Sequence, residues 1–357
     1  MRFGTYFFLQ ATPGRTSAQV IQAEMEQMVR SEALGFDSVW LTEHHYSDYG
    51  LSAAPSVLAA TLASRTDRIT IGTAVYVLPF HHPLRLAEET ATLDILSGGR
   101  LVVGIGRGNR AREFVGHGVS QDESRTRLEE GVALLLAAWT QPTVTFNGQH
   151  WSVPGLSVDP KPLQSPHPPL AVAASSDQSV AWTARHGWRL LSSGLGTPLP
   201  ALVSLRQMYA DGLTAAAHPS SLLDDLLRHW TVTKHVYVAD TDAQARADAE
   251  MHERWYLDSF ARSLSADGLP GLSDTARRQA LAMAERVTNR RWEDLIEDSL
   301  LIGSPDTVRA KVAELAEAGV GELACWMNFG GLPLEQVERS MSLFATEVIP
   351  AFRPLTV

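Results

Sequence analysis

Eight short apolar runs, separated by longer helical patterns, constrain the fold of this chain more than any other feature of its sequence. The runs are rich in Val, Ile, Phe and Leu, and they cover 3–9, 38–41, 69–74, 101–105, 170–174, 189–192, 233–238 and 322–327. Continuous apolar strands that alternate with helices are typical of parallel strands buried on both faces. Eight of them predict an α/β fold of the (β/α)8 TIM-barrel type, with insertions, rather than an open sheet.

The length of the chain allows either two average domains or one elaborated barrel, since it has 357 residues. No internal repeat or low-complexity tract divides it, so the sequence predicts one barrel domain over 1–357. Glycines and prolines between 146 and 165 predict an irregular excursion that contains a small hairpin. The stretch 263–291 is longer than a normal connection, and we expect it to be a lid over the active site.

Charge and composition narrow the functional classes. The 30 basic and 40 acidic residues give a net charge of −10, which argues against nucleic acid or an anionic membrane as a partner, because phosphate attraction requires a basic surface. The single cysteine, Cys325, excludes a disulfide framework and a thiolate metal cluster. No apolar run approaches the roughly 18 residues of a membrane span, and the N-terminus carries no cleavable signal. We therefore expect a soluble, cytoplasmic protein.

A histidine-rich segment, Glu43-His44-His45-Tyr46, follows the second run. Barrel enzymes keep their reactive groups at this end of their strands, and a histidine there can act as an acid, a base or a hydrogen-bond donor near neutral pH. A loop histidine that only caps backbone groups is the alternative interpretation. Adjacent histidines on an extended segment point in opposite directions and no third ligand follows, so the sequence predicts no metal site.

A glycine-lined strand end that includes Gly106 and Arg107 follows the fourth run. It is not a dinucleotide fingerprint, because G-x-G-x-x-G would require glycine where the chain has Asn109. Glycine lets a flat ligand approach the backbone, and arginine can hold a phosphate through two hydrogen bonds. A tight turn with a solvated arginine is the alternative.

Three serines, Ser175, Ser176 and Ser179, lie between the fifth run and the helix that follows it. Hydroxyls and free amides at a helix N-terminus can bind an anion, although N-capping is the commoner role of a single serine. Arg107 comes from the neighbouring strand end, and Arg125 follows it along the chain. We therefore expect these groups to meet around one phosphate.

Taken together, these segments resemble the bacterial luciferase-like flavin monooxygenases. The resemblance extends over essentially the whole chain, is closest to the luciferase alpha subunit, and is carried by 42–50, 71–79, His82-Pro83, 101–108 and the run from Ile302 to Pro350. Each motif is modest alone, but their order and spacing match the family.

The resemblance implies a luciferase-like barrel that binds FMN, as FMNH2, at its C-terminal face. Reaction with O2 would give a flavin C4a-(hydro)peroxide, which oxygenates a small organic substrate. His44 matches the catalytic histidine of the family, and the cofactor-binding positions match Ala74, Val75, Gly106, Arg107, Arg125, Ser175, Ser176 and Ser179. Ala74 and Val75 correspond to a non-proline cis peptide against the flavin, and Ser175 replaces an acidic residue of the family.

The resemblance also implies partners. No nicotinamide motif is present, so a separate NAD(P)H:flavin reductase would supply FMNH2. Glu88, with His81 and His82 nearby, matches subunit-interface positions and implies a homodimer.

Departures from the family concern the substrate pocket. Gly106 stands where luciferase has a reactive cysteine, and 192–194 are small residues where luciferase has bulky ones. We therefore expect a larger or more polar substrate than a long-chain aldehyde. An F420-dependent dehydrogenase, a non-catalytic flavin-binding protein and a barrel enzyme of unrelated chemistry are the alternatives.

Overall fold

The computed structural model describes residues 1–265 and 289–353, and within the intervening segment residues 269, 273, 274, 277, 278, 281, 282, 284 and 285. The strands of this part of the chain are β1 (Arg2–Phe7), β2 (Ser38–Leu41), β3 (Thr70–Thr73), β4 (Tyr76–Val77), β5 (Leu101–Gly106), β6 (Val144–Asn147), β7 (Ser152–Leu156), β8 (Leu170–Ala173), β9 (Arg189–Ser193), β10 (Thr231–Val238), β11 (Leu301–Gly303) and β12 (Glu322–Trp326).

Eight of these strands close into a parallel barrel in the order β1-β2-β3-β5-β8-β9-β10-β12, with β12 pairing back onto β1. Each of the eight overlaps one of the predicted apolar runs, so the predicted barrel is confirmed. Two short strands lie outside the prediction: β4 pairs with the end of β5, and β11 pairs with the end of β10. β4 has two residues and β11 has three, so their sequence patterns cannot be distinguished from those of loops.

Helices surround the barrel. They are α1 (Ser17–Ala33), α2 (Pro55–Ala63), α3 (Pro83–Leu96), α4 (Ala111–His117), α5 (Ser124–Thr140), α6 (Asp177–Arg185), α7 (Leu199–Ala215), α8 (Ser220–Arg228), α9 (Asp242–Leu264), α10 (Trp292–Asp298), α11 (Pro305–Glu317) and α12 (Leu334–Leu343). Local sequence sets several boundaries. Pro83 occupies the first turn of α3, and Ser304 caps α11 ahead of Pro305.

The inside and the outside of the barrel differ in size and polarity. The interior holds a small apolar cluster of Trp40, Val102, Ala171, Leu191 and Ala324, whereas the outer faces join the large core shared with the helices. At the N-terminal end, the buried carboxylate of Glu322 accepts hydrogen bonds from Arg2 Nε (3.2 Å), Trp40 Nε1 (2.7 Å) and the Ser38 hydroxyl. Charged and polar donors thus satisfy the buried acid.

Two insertions depart from the regular βα repeat. The predicted hairpin is confirmed, since β6 and β7 pair antiparallel. The predicted lid at 263–291 lies largely outside the described residues, because α9 ends at Leu264 and the chain is next described continuously from 289. No helix in the described part of the chain is both long and apolar enough to cross a bilayer.

Candidate functional site

His44 lies in the loop after β2, and its ring is fixed from one side. Its Nδ1 is 2.9 Å from Oε1 of Glu113, a buried residue of α4, and the same oxygen accepts the backbone N–H of His45 at 3.0 Å. Among the described residues no group hydrogen-bonds Nε2 of His44. The carboxylate orients the imidazole, and Nε2 is left as the nitrogen that can exchange a proton with a ligand.

Glu43 is the centre of a second hydrogen-bond cluster. Its carboxylate accepts from Nε2 of His45 (2.8 Å), Nε2 of His81 (2.9 Å) and the backbone N–H of Val77 (2.8 Å). Burial opposes ionisation of this acid, but the hydrogen bonds from the two histidines outweigh burial and lower the pKa of Glu43 to about 2. The loop after β2 is thereby tied to β4 by an ionised side chain.

Aromatic side chains form one wall beside His44. The Phe8 ring stacks on His44 with 4.5 Å between ring centroids and on Trp326 at 4.6 Å. The Tyr49 ring packs edge-on against both Phe8 (4.6 Å) and His44 (5.1 Å). These rings hold the histidine away from bulk water, and its side chain is only 15% exposed.

A flat, small-residue surface lies between this loop and β5. The peptide bond between Ala74 and Val75 is cis, and Val77 of β4 pairs with Gly106 at the end of β5. A Cβ placed on Gly106 would lie 2.6 Å from Cγ2 of Val75, so the valine occupies the space that the missing side chain leaves. The three residues thus present backbone and one branched side chain to the mouth of the barrel.

Ser192 and Gly194, like Gly106, were expected to enlarge the substrate pocket, but the packing of the described residues leaves no free space beside them. Ser192 is buried and its hydroxyl accepts a hydrogen bond from Trp230 Nε1 at 2.9 Å, on the opposite side of the strand from Leu191, which faces the interior. A Cβ on Gly194 would lie 2.6 Å from the carbonyl oxygen of Thr233. The prediction that these residues enlarge the substrate pocket is therefore not supported by the packing.

Two arginines form the cationic part of the site. Arg107 directly follows β5, and Arg125 lies at the start of α5. Partial burial and then the neighbouring Arg125 cation lower the pKa of Arg107. Arg125 donates to Glu129 at 3.0 Å, whereas Arg107 forms no ion pair within the described part of the chain. Among the described residues, the two neighbouring cations have one carboxylate partner, Glu129, and the remaining positive charge favours the binding of an anion.

The three serines follow β8, the strand next to β5, in which Ile105 pairs with Val172, so Arg107 and the serines follow neighbouring strand ends. Ser176 caps α6, and Ser176 and Ser179 hydrogen-bond each other in a capping box, with 2.9 Å between the hydroxyl oxygens. Capping therefore occupies part of their hydrogen-bonding capacity, as the alternative interpretation predicted. Ser175 and Ser176 are nevertheless exposed at the N-terminus of α6, where the helix dipole favours negative charge.

Sequence reasoning missed Glu43 as a hub, Glu113 as the partner of His44, and the aromatic wall. Glu43 was visible in the motif but had no assigned role. Glu113 is 69 positions away from His44, and nothing in the local pattern of α4 marks it. The two sets of predicted residues come together through Val77, which contacts Glu43 on one side and pairs with Gly106, next to Arg107, on the other.

Comparisons with known proteins identify the family of the chain. A family model described as luciferase-like monooxygenase matches residues 1–322. The alkanal monooxygenase alpha chain of Photorhabdus luminescens is 26% identical, over 98% of this chain and 96% of that protein. The oxygenase component of the flavin-dependent trigonelline monooxygenase of Acinetobacter baylyi is 25% identical, over 99% of this chain and 96% of that protein.

Solved structures are similar over nearly the full length. The monooxygenase RslO1 from Streptomyces bottropensis has a TM-score of 0.81 and 27% identity, covering 99% of this chain and all of that one. The oxygenating constituent of 3,6-diketocamphane monooxygenase from Pseudomonas putida, solved with FMN, has a TM-score of 0.80 and 22% identity, with 98% of each chain covered. An F420-dependent secondary alcohol dehydrogenase shares the fold at a TM-score of 0.75 and 17% identity, with 99% of each chain covered.

Proposed function

Because the chain belongs to the luciferase-like monooxygenase family, we propose that it is the oxygenase of a two-component system that uses FMNH2 and O2 to oxygenate a small organic substrate. The observation that carries the proposal is the cationic pair at the C-terminal face. Arg107 lies near Arg125 and forms no ion pair among the described residues, and it follows β5, the neighbour of the strand that leads to the exposed N-terminus of α6. Such a group of donors fits the phosphate of FMN.

The remaining residues fit the rest of the cofactor. Gly106 and the Ala74–Val75 peptide offer a surface that a flat ring can approach closely. Ser176 and Ser179 stand at the phosphate end, with Ser175 exposed beside them. When bound, reduced FMN supplies the electrons that activate O2 for transfer of one oxygen atom to the substrate.

His44 would hold or deliver a proton at Nε2. Glu113 fixes the ring through Nδ1, so the second nitrogen keeps a constant direction while its protonation changes. Phe8, Tyr49 and Trp326 pack around the histidine and would limit the access of water, which suits chemistry that stray protons would divert.

A separate NAD(P)H:flavin reductase would supply the reduced cofactor. The printed name of the Acinetobacter relative, an oxygenase component, supports a division of labour of this kind. O2 and the organic substrate complete the set of small-molecule partners.

A homodimer formed through α2 and α3 is part of the proposal. Val57 on α2 and Leu96 on α3 are each 64% exposed, and we take these exposed apolar side chains as the candidate interface. Glu88 and His82 are on the same helix pair, while His81 reaches inward to Glu43. His81 thus connects the start of α3 to the loop that carries His44.

The deciding experiment is anaerobic titration of the protein with FMNH2 and, separately, with reduced F420. We expect FMNH2 to bind. On rapid mixing with oxygenated buffer, oxidised FMN should then appear more slowly than from the free cofactor. With a reductase and an accepted substrate, label from 18O2 should enter the product.

Other outcomes would replace the proposal. Binding of reduced F420 without binding of FMNH2 would indicate an F420-dependent dehydrogenase. Binding of FMN with an oxidation rate equal to that of the free cofactor, and no 18O in any product of a substrate screen, would indicate a flavin-binding protein without oxygenase activity. Binding of neither cofactor would leave a barrel enzyme of unrelated chemistry.

A further inference from the structure

Arg110 is a buried cation beside the candidate site. It precedes α4, and only 4% of its surface is exposed. Its guanidinium carbon lies 4.7 Å from the ring centroid of Tyr49 and 4.5 Å from that of Phe260 on α9. Both distances are within the range of cation–π attraction.

The guanidinium is not neutralised within the described part of the chain. Nε and Nη1 of Arg110 have no hydrogen-bond partner there, and no carboxylate forms an ion pair with it. Glu113, on the same helix, directs Oε1 to His44 and to the backbone of His45 instead. Buried charges are normally paired, so the cation has unused capacity for an acceptor.

The surrounding tyrosines do not provide the missing charge. Burial raises the pKa of Tyr6, Tyr49 and Tyr256, and for Tyr49 it outweighs the opposing effect of the Arg110 cation. All three hydroxyls are therefore neutral at physiological pH. A neutral hydroxyl can accept one hydrogen bond from the guanidinium, but it leaves the charge uncompensated.

Arg110 is also close to the histidine that would handle protons. Tyr49 touches the guanidinium on one side and lies 5.1 Å from the His44 ring on the other. One aromatic ring therefore separates Arg110 from His44. A small organic molecule is therefore large enough to reach both residues.

Packing alone does not account for Arg110. Aromatic rings attract a guanidinium through its faces, whereas its N–H donors point outward in the plane of the group. Contacts with Tyr49 and Phe260 can therefore hold the side chain in place without using Nε–H and Nη1–H. A carboxylate oxygen that accepts from one of these free N–H donors would also neutralise the charge.

We propose that Arg110 is a specificity residue that binds a carboxylate of the organic substrate, so that the substrates of this enzyme are small organic acids. The inference rests on the proposed oxygenase function for its substrate, but the contact itself is a binding property.

Matched acids and amides test the contact without turnover. Benzoate and 2-naphthoate are compared with benzamide and 2-naphthamide by calorimetric titration of the wild-type protein, Arg110→Gln and Arg112→Gln. Arg112 is an exposed residue of the same helix, which makes it the matched control. We expect the wild-type protein to prefer the acids by about tenfold or more, the range for a charged hydrogen bond. Arg110→Gln should lose that preference, and Arg112→Gln should keep it.

Three results would overturn the proposal. One is the absence of any preference for the acids in the wild-type protein, including no binding of either class. Another is a preference that survives in Arg110→Gln, and the third is an equal loss in Arg112→Gln. If Arg110→Gln does not fold, Arg110→Lys, which keeps the charge without the planar array of N–H donors, should show a reduced preference; an unchanged one would contradict a hydrogen bond from the guanidinium.

FMN titration of the same samples separates this inference from the proposed function. If the wild-type protein binds FMN but shows no preference for the acids, the role of Arg110 is contradicted and the oxygenase proposal stands. If it prefers the acids but does not bind FMN, the oxygenase proposal is contradicted and the role of Arg110 stands.

Discussion

Replacing Arg107 by glutamine isolates the phosphate contact from the rest of the cofactor site. A charged hydrogen bond to phosphate contributes about 1.5–3 kcal/mol. Two structural facts place this contact at the lower end of that range. Arg107 is only partly buried, and removing it also relieves the repulsion that Arg125 exerts on it. We therefore expect FMN binding to weaken by about 1.5 kcal/mol, or roughly tenfold.

Riboflavin, which lacks the phosphate, is the control ligand. Quenching of flavin fluorescence gives both affinities with the wild-type protein and with Arg107→Gln. The variant should bind riboflavin as the wild-type protein does, and salt should weaken only the binding of FMN. Arg127→Gln is the control variant, since Arg127 lies on the same helix as Arg125 but pairs with Glu123. Equal losses for FMN and riboflavin, or no loss for FMN, would refute the assignment of the phosphate site.

His44→Ala should keep FMN affinity within about twofold and lower the yield of oxygenated product by about 100-fold, whereas the exposed control His186→Ala should change neither; an unaltered yield in His44→Ala would remove the proton role. Glu43 should stabilise the fold above pH 4.5 and lose that contribution as the pH falls towards its folded pKa of about 2. The difference in unfolding free energy between wild type and Glu43→Gln should therefore shrink by about 3 kcal/mol over that interval, and a constant difference in denaturant titrations would contradict it. Val57→Glu should shift the protein from dimer to monomer in light scattering, whereas Val203→Glu, on α7, should not; an unchanged dimer would exclude α2 from the interface.

The barrel could be predicted from sequence because each of its strands is buried on both faces. Such strands have continuous apolar sequences, and their number alone restricts the architecture. The two short strands β4 and β11 were not predicted, because two or three residues are too few to show a sequence periodicity. Their pairing depends on the ends of β5 and β10, which are fixed only after the barrel has closed.

The site could be predicted only in part, for a related reason. Arg107 and the serines follow adjacent strands, so barrel order places them side by side. Glu113 reaches His44 because α4 folds over the loop after β2, and a contact of this range leaves no local mark in the sequence. The burial of Arg110 without an acid among the described residues is a property of the folded protein alone.

Val75 and Gly106 form a size-matched pair, and this has a consequence for the order in which mutations can be introduced. A side chain at 106 meets Cγ2 of Val75 at 2.6 Å, which is too short for any contact between carbon atoms. Gly106→Cys alone is therefore expected to displace the Val75 side chain, whereas Val75→Ala followed by Gly106→Cys should be tolerated. The two sites are epistatic, and a library that varies one position at a time would discard the cysteine before the compensating alanine was ever sampled.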